Sequence, residues 1–109
     1  MPDTAEHNYT LSLFSPHVGS KFQLCLDGRP ALDLTLVEAV SIEAHTMVRD
    51  PSIRAEPFSL IFHGPLTPYA NQACYELKNS ELGSMEIFLV PLGPDKPSKS
   101  QMQYQAIFN

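Results

Sequence analysis

Apolar and polar residues alternate with a period of two along most of the chain, and prolines and glycines interrupt the alternation at short intervals. This pattern is typical of antiparallel strands joined by tight turns. The predicted strands cover residues 21–27, 31–42, 58–63, 73–78, 84–91 and 101–108. About six or seven strands predict an all-β fold, either a small antiparallel barrel or a sandwich.

The first two strands form a predicted hairpin. Between them, Asp27-Gly28-Arg29-Pro30 supplies a glycine for a positive φ and a proline that stops the ladder. The second strand is expected to continue through residues 43–47, until the Asp-Pro step at residues 50–51 breaks it. The residues expected to face the core are Phe22, Leu24 and Leu26 in the first strand, and Leu32, Leu34, Leu36, Val40 and Ile42 in the second.

The strand at residues 84–91 is apolar on both faces, because Phe88 and Val90 lie opposite the inward Met85, Ile87 and Leu89. A strand of this kind is expected to be central and covered on both sides. Most aromatic residues fall on inward positions, so the pattern favours a filled barrel over a hollow one. The aromatic residues expected to be exposed are Tyr9 and Tyr69.

The N-terminal part of the chain carries one helical candidate, a short turn within Thr10 to His17 that Thr10 or Ser15 can cap. Residues 1–9 are polar in character and are expected to be flexible. The sequence shows neither an internal repeat nor a long linker. We therefore expect one β domain over residues 1–109.

Charge and composition narrow the partners and the compartment. The net charge of −5 is spread evenly, without the basic stripe that binds phosphates, so neither nucleic acid nor a membrane is expected as a partner. The first residues lack a basic start and an apolar run, and no stretch approaches the ~20 apolar residues of a membrane span. Two cysteines do not make a disulfide scaffold. The expected location is the cytoplasm.

Motifs for catalysis are missing from the sequence. It contains no Gly-x-Ser-x-Gly, no glycine-rich phosphate loop and no Cys-x-x-Cys. We therefore assign no catalytic residue, no cofactor and no metal ligand, and expect a protein that is not an enzyme.

Three residues support an alternative, a small ligand- or metal-binding barrel. Glu43 and His45 lie two residues apart on a predicted strand and share a face, and His63 is a third candidate ligand. Two ligands do not hold a metal, so a solvated polar face is the simpler interpretation. For His63, which precedes Gly64-Pro65, we expect a hydrogen bond to a turn carbonyl that fixes the chain reversal.

Cys25 and Cys74 both fall on the polar positions of their strands. Their sulfur atoms would face each other if the two strands were neighbours. Neither cysteine has a glycine-rich turn or helix start beside it that would form an oxyanion hole. Small half-buried thiols are therefore favoured over a nucleophile.

Several short motifs resemble a family of bacterial domains of unknown function of about this length. The resemblance covers residues 58–109, and Val18-Gly19-x-x-Phe22 more loosely. It agrees with the strand assignment and implies no catalytic residue. Such domains are often encoded beside phage-tail-collar-like fibre proteins, which implies a role in assembling or decorating a fibre. The motifs are Phe62-His63-Gly64-Pro65, Tyr75-Glu76-Leu77, Glu81-Leu82-Gly83, Ile87-Phe88-Leu89-Val90-Pro91 and Tyr104-Gln105-Ala106-Ile107-Phe108-Asn109.

These observations predict a non-enzymatic protein-interaction or assembly module. Its expected partner is another protein, a fibre or tail-like protein, or a second copy in a homo-oligomer. Two routes of contact are predicted, an open strand edge and the proline-bearing loops at residues 48–57 and 91–100.

Overall fold

The computed structural model describes residues 9–42, 57–96 and 98–108, most of which lie in six antiparallel β-strands. A short helix, α1 (Leu11–Phe14), and one 3-10 turn (Ser15–His17) precede them. The prediction of an all-β fold with one short helical turn is confirmed. The strands are β1 (Lys21–Leu26), β2 (Arg29–Ser41), β3 (Phe58–Pro65), β4 (Ala73–Asn79), β5 (Gly83–Pro94) and β6 (Gln101–Phe108).

The six strands close into a barrel in the order β1-β2-β3-β6-β5-β4, and every neighbouring pair is antiparallel. Of the two predicted architectures, the barrel is the observed one. Because β3 lies beside β6, the arrangement is a Greek key and not a simple meander. Residues 66–72 carry the chain from β3 to β4, and the Ala70 amide in this crossing donates a 2.9 Å hydrogen bond to the Tyr104 hydroxyl.

The barrel closes where residues 23–25 of β1 pair with residues 76–78 of β4. Each strand therefore has a hydrogen-bonded neighbour on both sides. Closure occupies backbone groups that an edge strand would offer to a partner. It removes the open edge on which one of the two predicted routes of contact depends.

A two-residue turn, Asp27-Gly28, joins β1 to β2. Both residues have a positive φ, 53° for Asp27 and 78° for Gly28, as a type I′ hairpin requires. The predicted place of the turn is confirmed. The expectation that Pro30 stops the ladder is wrong, because Pro30 lies within β2 opposite Cys25, next to an irregularity that absorbs it.

Alternate residues of the strands fill the barrel with apolar side chains. Phe22 and Phe62 meet edge to face, with 5.3 Å between their ring centroids. A side chain of any size at Gly64 would meet Leu34, since an added Cβ would lie 2.5 Å from its Cδ2 atom. This packing agrees with the predicted filled interior. The largest fully buried strand side chains are Phe22, Leu24, Leu34, Leu36, Phe58, Leu60, Phe62, Leu77, Ile87, Leu89 and Tyr104.

Aromatic side chains from the N-terminal segment cover the end of the barrel where β3 begins and β6 ends. The ring of Phe108 stacks on Phe58 at 4.6 Å, and Phe14 of α1 lies 5.9 Å from Phe58. Tyr9 contacts Phe14 and Phe108 edge to face and is only 6% exposed. The prediction that Tyr9 is exposed is therefore wrong. Residues 1–8 lie outside the described residues.

A β-bulge in β2 reverses the predicted pattern in its second half. The pairing with β3 steps from Leu36 directly to Glu38, which leaves Val37 as the extra residue. Ala39 is half-buried as a result, whereas Val40, which was expected to face the core, is exposed. The predicted continuation through residues 43–47 and almost all of the loop at 48–57 lie outside the described residues.

β5 differs from the predicted strand in the burial of its outward side chains and in its length. Phe88 is exposed and Val90 half-buried, because each strand of this barrel has one face inside and one outside. The expectation of a central strand covered on both sides is wrong. The strand also continues past a bulge at residue 92 as far as Pro94, so the predicted loop at 91–100 shrinks to residues 95–100.

Candidate functional site

The outward positions of β3 and β6 carry no Asp, Glu, Lys or Arg. The two strands pair along all eight residues of each, so their outward side chains form one continuous surface. We call it the uncharged face, and include in it Val40, Phe88 and Val90 from the adjoining strands; Glu38 of β2, which is exposed and lies opposite Ile61, marks its border. The outward residues of β3 and β6 are Ser59, which is buried, and Ile61, His63, Pro65, Gln101, Gln103, Gln105 and Ile107.

Apolar side chains form a strip across the uncharged face. Ile107 is 52% exposed and Phe88 48% exposed, and each lies two residues from the Val90–Gln105 pair, on the same side of its strand. Val90 lies opposite Gln105 on one side of β6, and Ile61 lies opposite it on the other. Large exposed apolar side chains grouped together, rather than scattered, are typical of a contact surface.

The opposite side of the barrel, at β1 and β4, is charged. Lys21 Nζ lies 3.8 Å from Asp33 Oδ2, and both side chains are well exposed. Glu76 lies directly opposite Glu86 and accepts a hydrogen bond from the Ser84 hydroxyl. We call this surface the charged face. Its members are Lys21, Gln23, Asp33, Glu76, Lys78 and Glu86.

His63 lies on the uncharged face, in the body of β3 and not at its end. Its Nδ1 atom lies 3.2 Å from Oε1 of Gln101. The prediction that it bonds a turn carbonyl is therefore wrong, because β3 continues to Pro65 and places the ring beside the amide side chain of β6.

The other two residues of the alternative site, Glu43 and His45, lie outside the described residues. Within residues 9–42, 57–96 and 98–108, no group of three or more His, Cys, Asp or Glu side chains is placed to hold a metal ion. The metal-binding interpretation therefore stays a prediction.

Asp95, which the sequence interpretation did not single out, organises the connection from β5 to β6. Its carboxylate accepts hydrogen bonds from the Ser98 hydroxyl at 2.8 Å and from the Ser100 and Gln101 amides at 2.9 Å. The bond from the Gln101 amide contributes most to holding the pKa of Asp95 below its usual value, and the Ser98 hydroxyl adds to it. An aspartate followed by serines at positions three and five is the available sequence signal.

Cys25 and Cys74 lie on neighbouring strands, but not opposite each other. Cys25 is opposite Glu76, and Cys74 is opposite Phe88 of β5. Cys74 is exposed, as its predicted polar position requires, whereas Cys25 is buried although it pairs with half-buried Glu76. The pairing of β1 with β2 is irregular between Leu24 and Cys25. Beyond this irregularity Leu26, which was expected to face the core, is exposed.

The fold and its surfaces define a small closed β-barrel domain with one charged and one uncharged outer face. The chain belongs to a family described as a domain of unknown function (DUF6916), whose model matches residues 9–108. This confirms the resemblance to an uncharacterised family of about this length, and extends it over more of the chain than residues 58–109. No curated protein and no solved structure matches the chain. Among the described residues, no helix is long and apolar enough to span a membrane.

Proposed function

We propose that this domain is a non-enzymatic protein-interaction module that binds another protein through its uncharged face. One observation carries the proposal: eight paired outward positions on β3 and β6, exposed Ile107 among them, hold no formally charged residue and adjoin exposed Phe88 of β5. An interface core is depleted in charged residues and enriched in aromatic ones. The uncharged face shares the depletion in charge, and Phe88 is its one exposed phenylalanine.

Desolvation explains why this face is the better candidate for contact. Full burial of an exposed apolar side chain of this size contributes about 1.5–3 kcal/mol. Phe88 and Ile107 are about half exposed and so have roughly half of that still to gain, which makes them the expected centre of the interface. On the charged face, a partner would first have to displace water from Lys78 and from the paired carboxylates of Glu76 and Glu86. Closure of the barrel favours contact by a sheet face over contact by a strand edge.

For the partner, we propose a fibre or tail-like protein, the class suggested by the resemblance to domains encoded beside fibre proteins. A second copy of the chain is the other occupant to be tested, because glutamine amides both donate and accept hydrogen bonds and so pair with their own kind. Two free cysteines agree with a reducing compartment, and we propose the cytoplasm as the place of contact.

Paired variants test the proposal. The variant F88S/I107S removes the apolar strip, and L26S is its matched control, because Leu26 is 51% exposed and lies at the β1–β2 turn away from this face. Each protein is co-expressed with the neighbouring genes and purified, and bound protein is quantified. We expect wild type and L26S to retain a fibre-like partner and F88S/I107S to lose it at least tenfold, about 1.4 kcal/mol.

Light scattering at two protein concentrations separates the two occupants. A mass that doubles for wild type and L26S, but not for F88S/I107S, assigns the face to a second copy. Equal retention of a partner by all three proteins would reject the uncharged face as the docking surface.

A further inference from the structure

An open cleft of about 340 Å³ lies on the charged face, where β1 meets β4. Small-molecule sites span roughly 300–1,000 Å³, so the cleft is large enough for a small ligand. No carboxylate of the described residues lines it, and its polar lining favours a polar, negatively charged molecule. The lining residues are Lys21, Gln23, Lys78, Asn79 and Ser80.

The strand register sets the distance between the two lysines. Gln23 lies opposite Lys78, and Lys21 lies two residues before Gln23 on the same side of β1. The lysines therefore occupy diagonal positions on one face of adjacent strands, about 7–8 Å apart at the backbone. Side chains as long as lysine reach the middle of that gap from both ends, so both ammonium groups can bind one ligand group.

Asn79 holds the floor of the cleft in a fixed shape. Its Oδ1 atom accepts hydrogen bonds from the Glu81 and Leu82 amides, both at 2.9 Å. Its Nδ2 group donates to the Lys21 carbonyl at 3.0 Å and to the Ser20 hydroxyl at 3.3 Å. The buried amide thus ties the turn after β4 to the start of β1, and keeps the two lysine-bearing strands in place before a ligand arrives.

The donors of the cleft are available. Among the described residues, Lys78 has no ion pair, and the side chains of Gln23 and Ser80 have no hydrogen bond. Lys21 is held only at 3.8 Å by Asp33, and both side chains are more than 60% exposed, which makes this a weak pair that a ligand can displace.

Besides Asp33, which lies opposite Gln23, two further carboxylates near the cleft have partners of their own. Glu76 accepts the hydroxyl hydrogen bond of Ser84, and Glu81 Oε1 lies 3.6 Å from Nδ1 of His17. Neither ion pairs with Lys78 at the distances the structure shows.

We propose that this cleft binds the phosphate group of a small phosphorylated molecule. Two ammonium groups match the double negative charge of a phosphate monoester, and the Gln23 amide and the Ser80 hydroxyl add hydrogen-bond donors. The cleft has room for more than the phosphate, and its polar walls suit a hydroxyl-bearing remainder. It lies on the opposite side of the barrel from the uncharged face, so its function is independent of protein docking.

Glycerol 3-phosphate is the probe, with glycerol as the neutral control, followed by amide chemical shifts in NMR spectra. We expect saturable shifts for residues 20–23 and 78–82 at millimolar probe and none with glycerol. K21Q and K78Q are each expected to weaken binding roughly three- to tenfold, and added salt to weaken it further. D33N should strengthen binding by releasing Lys21 and removing a competing carboxylate.

K99Q is the matched control, because Lys99 lies in the β5–β6 connection outside the cleft. It removes the same charge and should leave the affinity unchanged. An equal loss of affinity in K99Q and K78Q would assign the effect to net charge and overturn the proposal. So would a wild type without saturable shifts, or one that binds a phosphoserine peptide and not glycerol 3-phosphate, which would indicate a protein ligand.

Discussion

The uncharged face and the charged face cover the same barrel interior, but they differ in the charge of their outward side chains. Beneath both faces lie fully buried leucine and phenylalanine side chains, Leu60 and Phe62 under one, Leu24 and Leu77 under the other. The outward residues are glutamines and apolar side chains on one side, and lysines and carboxylates on the other. Core packing constrains the inward residues of these strands more than the outward ones, so the outward difference is consistent with the different contacts proposed for the two faces.

The two faces also rest on ladders of different length. β3 and β6 pair along eight residues each, whereas β1 and β4 pair along three. A long ladder gives the uncharged face a stiff, extended surface suited to a large partner. The short closure leaves room for the 340 Å³ cleft beside it, which suits a small ligand.

The largest expected effect comes from the shared interior. Replacing Phe62 by alanine leaves a cavity beside Phe22 and should lower the free energy of unfolding by about 3–5 kcal/mol. The whole barrel, and with it both faces, should unfold at a lower urea concentration than in the wild type. The neighbouring Ile61→Ala, on the outward side of the same strand, is the control and should cost much less. Equal losses for the two variants would contradict the division into inside and outside.

Gly64→Ala should have the next largest effect. The added Cβ would lie 2.5 Å from Cδ2 of Leu34 inside the barrel, and overpacking of this kind costs about 1–3 kcal/mol. Gln103→Ala, on the outward side of β6, is expected to stay within about 0.5 kcal/mol. Thermal unfolding of both variants measures the difference, and an unchanged midpoint for Gly64→Ala would show that the interior has spare room there.

Asp95→Asn should change how stability depends on pH. The pKa of Asp95 is lower in the folded protein than the value of about 3.9 for an unfolded chain. The stability that the ionised Asp95 carboxylate contributes is therefore fully present above about pH 4, and it is lost as the pH falls through the pKa of the folded protein. We expect wild type to exceed the variant in unfolding free energy at neutral pH, and the gap to close in acid. A gap of constant size from pH 7 to pH 2 would rule out this linkage.

Phe88→Ser should hardly affect folding. The ring is half exposed on the outside of the barrel, so we expect a loss below about 1 kcal/mol, similar to that of Leu26→Ser. Chemical unfolding of the two variants side by side checks this. A loss for Phe88→Ser as large as that for Phe62→Ala would mean that the uncharged face serves folding and not binding.

The smallest effect is expected on the charged face. Asp33→Asn removes the exposed ion pair with Lys21, and such pairs contribute about 0–1 kcal/mol. Unfolding at low and at high salt should therefore give nearly the same difference between wild type and variant. A clear loss that salt abolishes would indicate that this pair helps to close the barrel.

The sequence by itself determined the all-β class, the place of the Asp27-Gly28 turn and the filled interior. These features are local, since a period of two fixes which side chains share a face, and a glycine after aspartate fixes the hairpin. The inward positions of Met102, Tyr104 and Ala106 follow from the same period, and all three are buried.

The tertiary structure alone decided the order of the strands, the burial of Tyr9 and the reversal after Val37. A bulge has no clear signature in a single sequence, and Tyr9 becomes buried only because β3 and β6 end beside it. The uncharged face likewise joins Val40, Ile107 and Phe88, which are far apart along the chain. Alternation tells which side of a strand is polar, but barrel closure chooses which strands lie side by side, and so which outward residues form a surface.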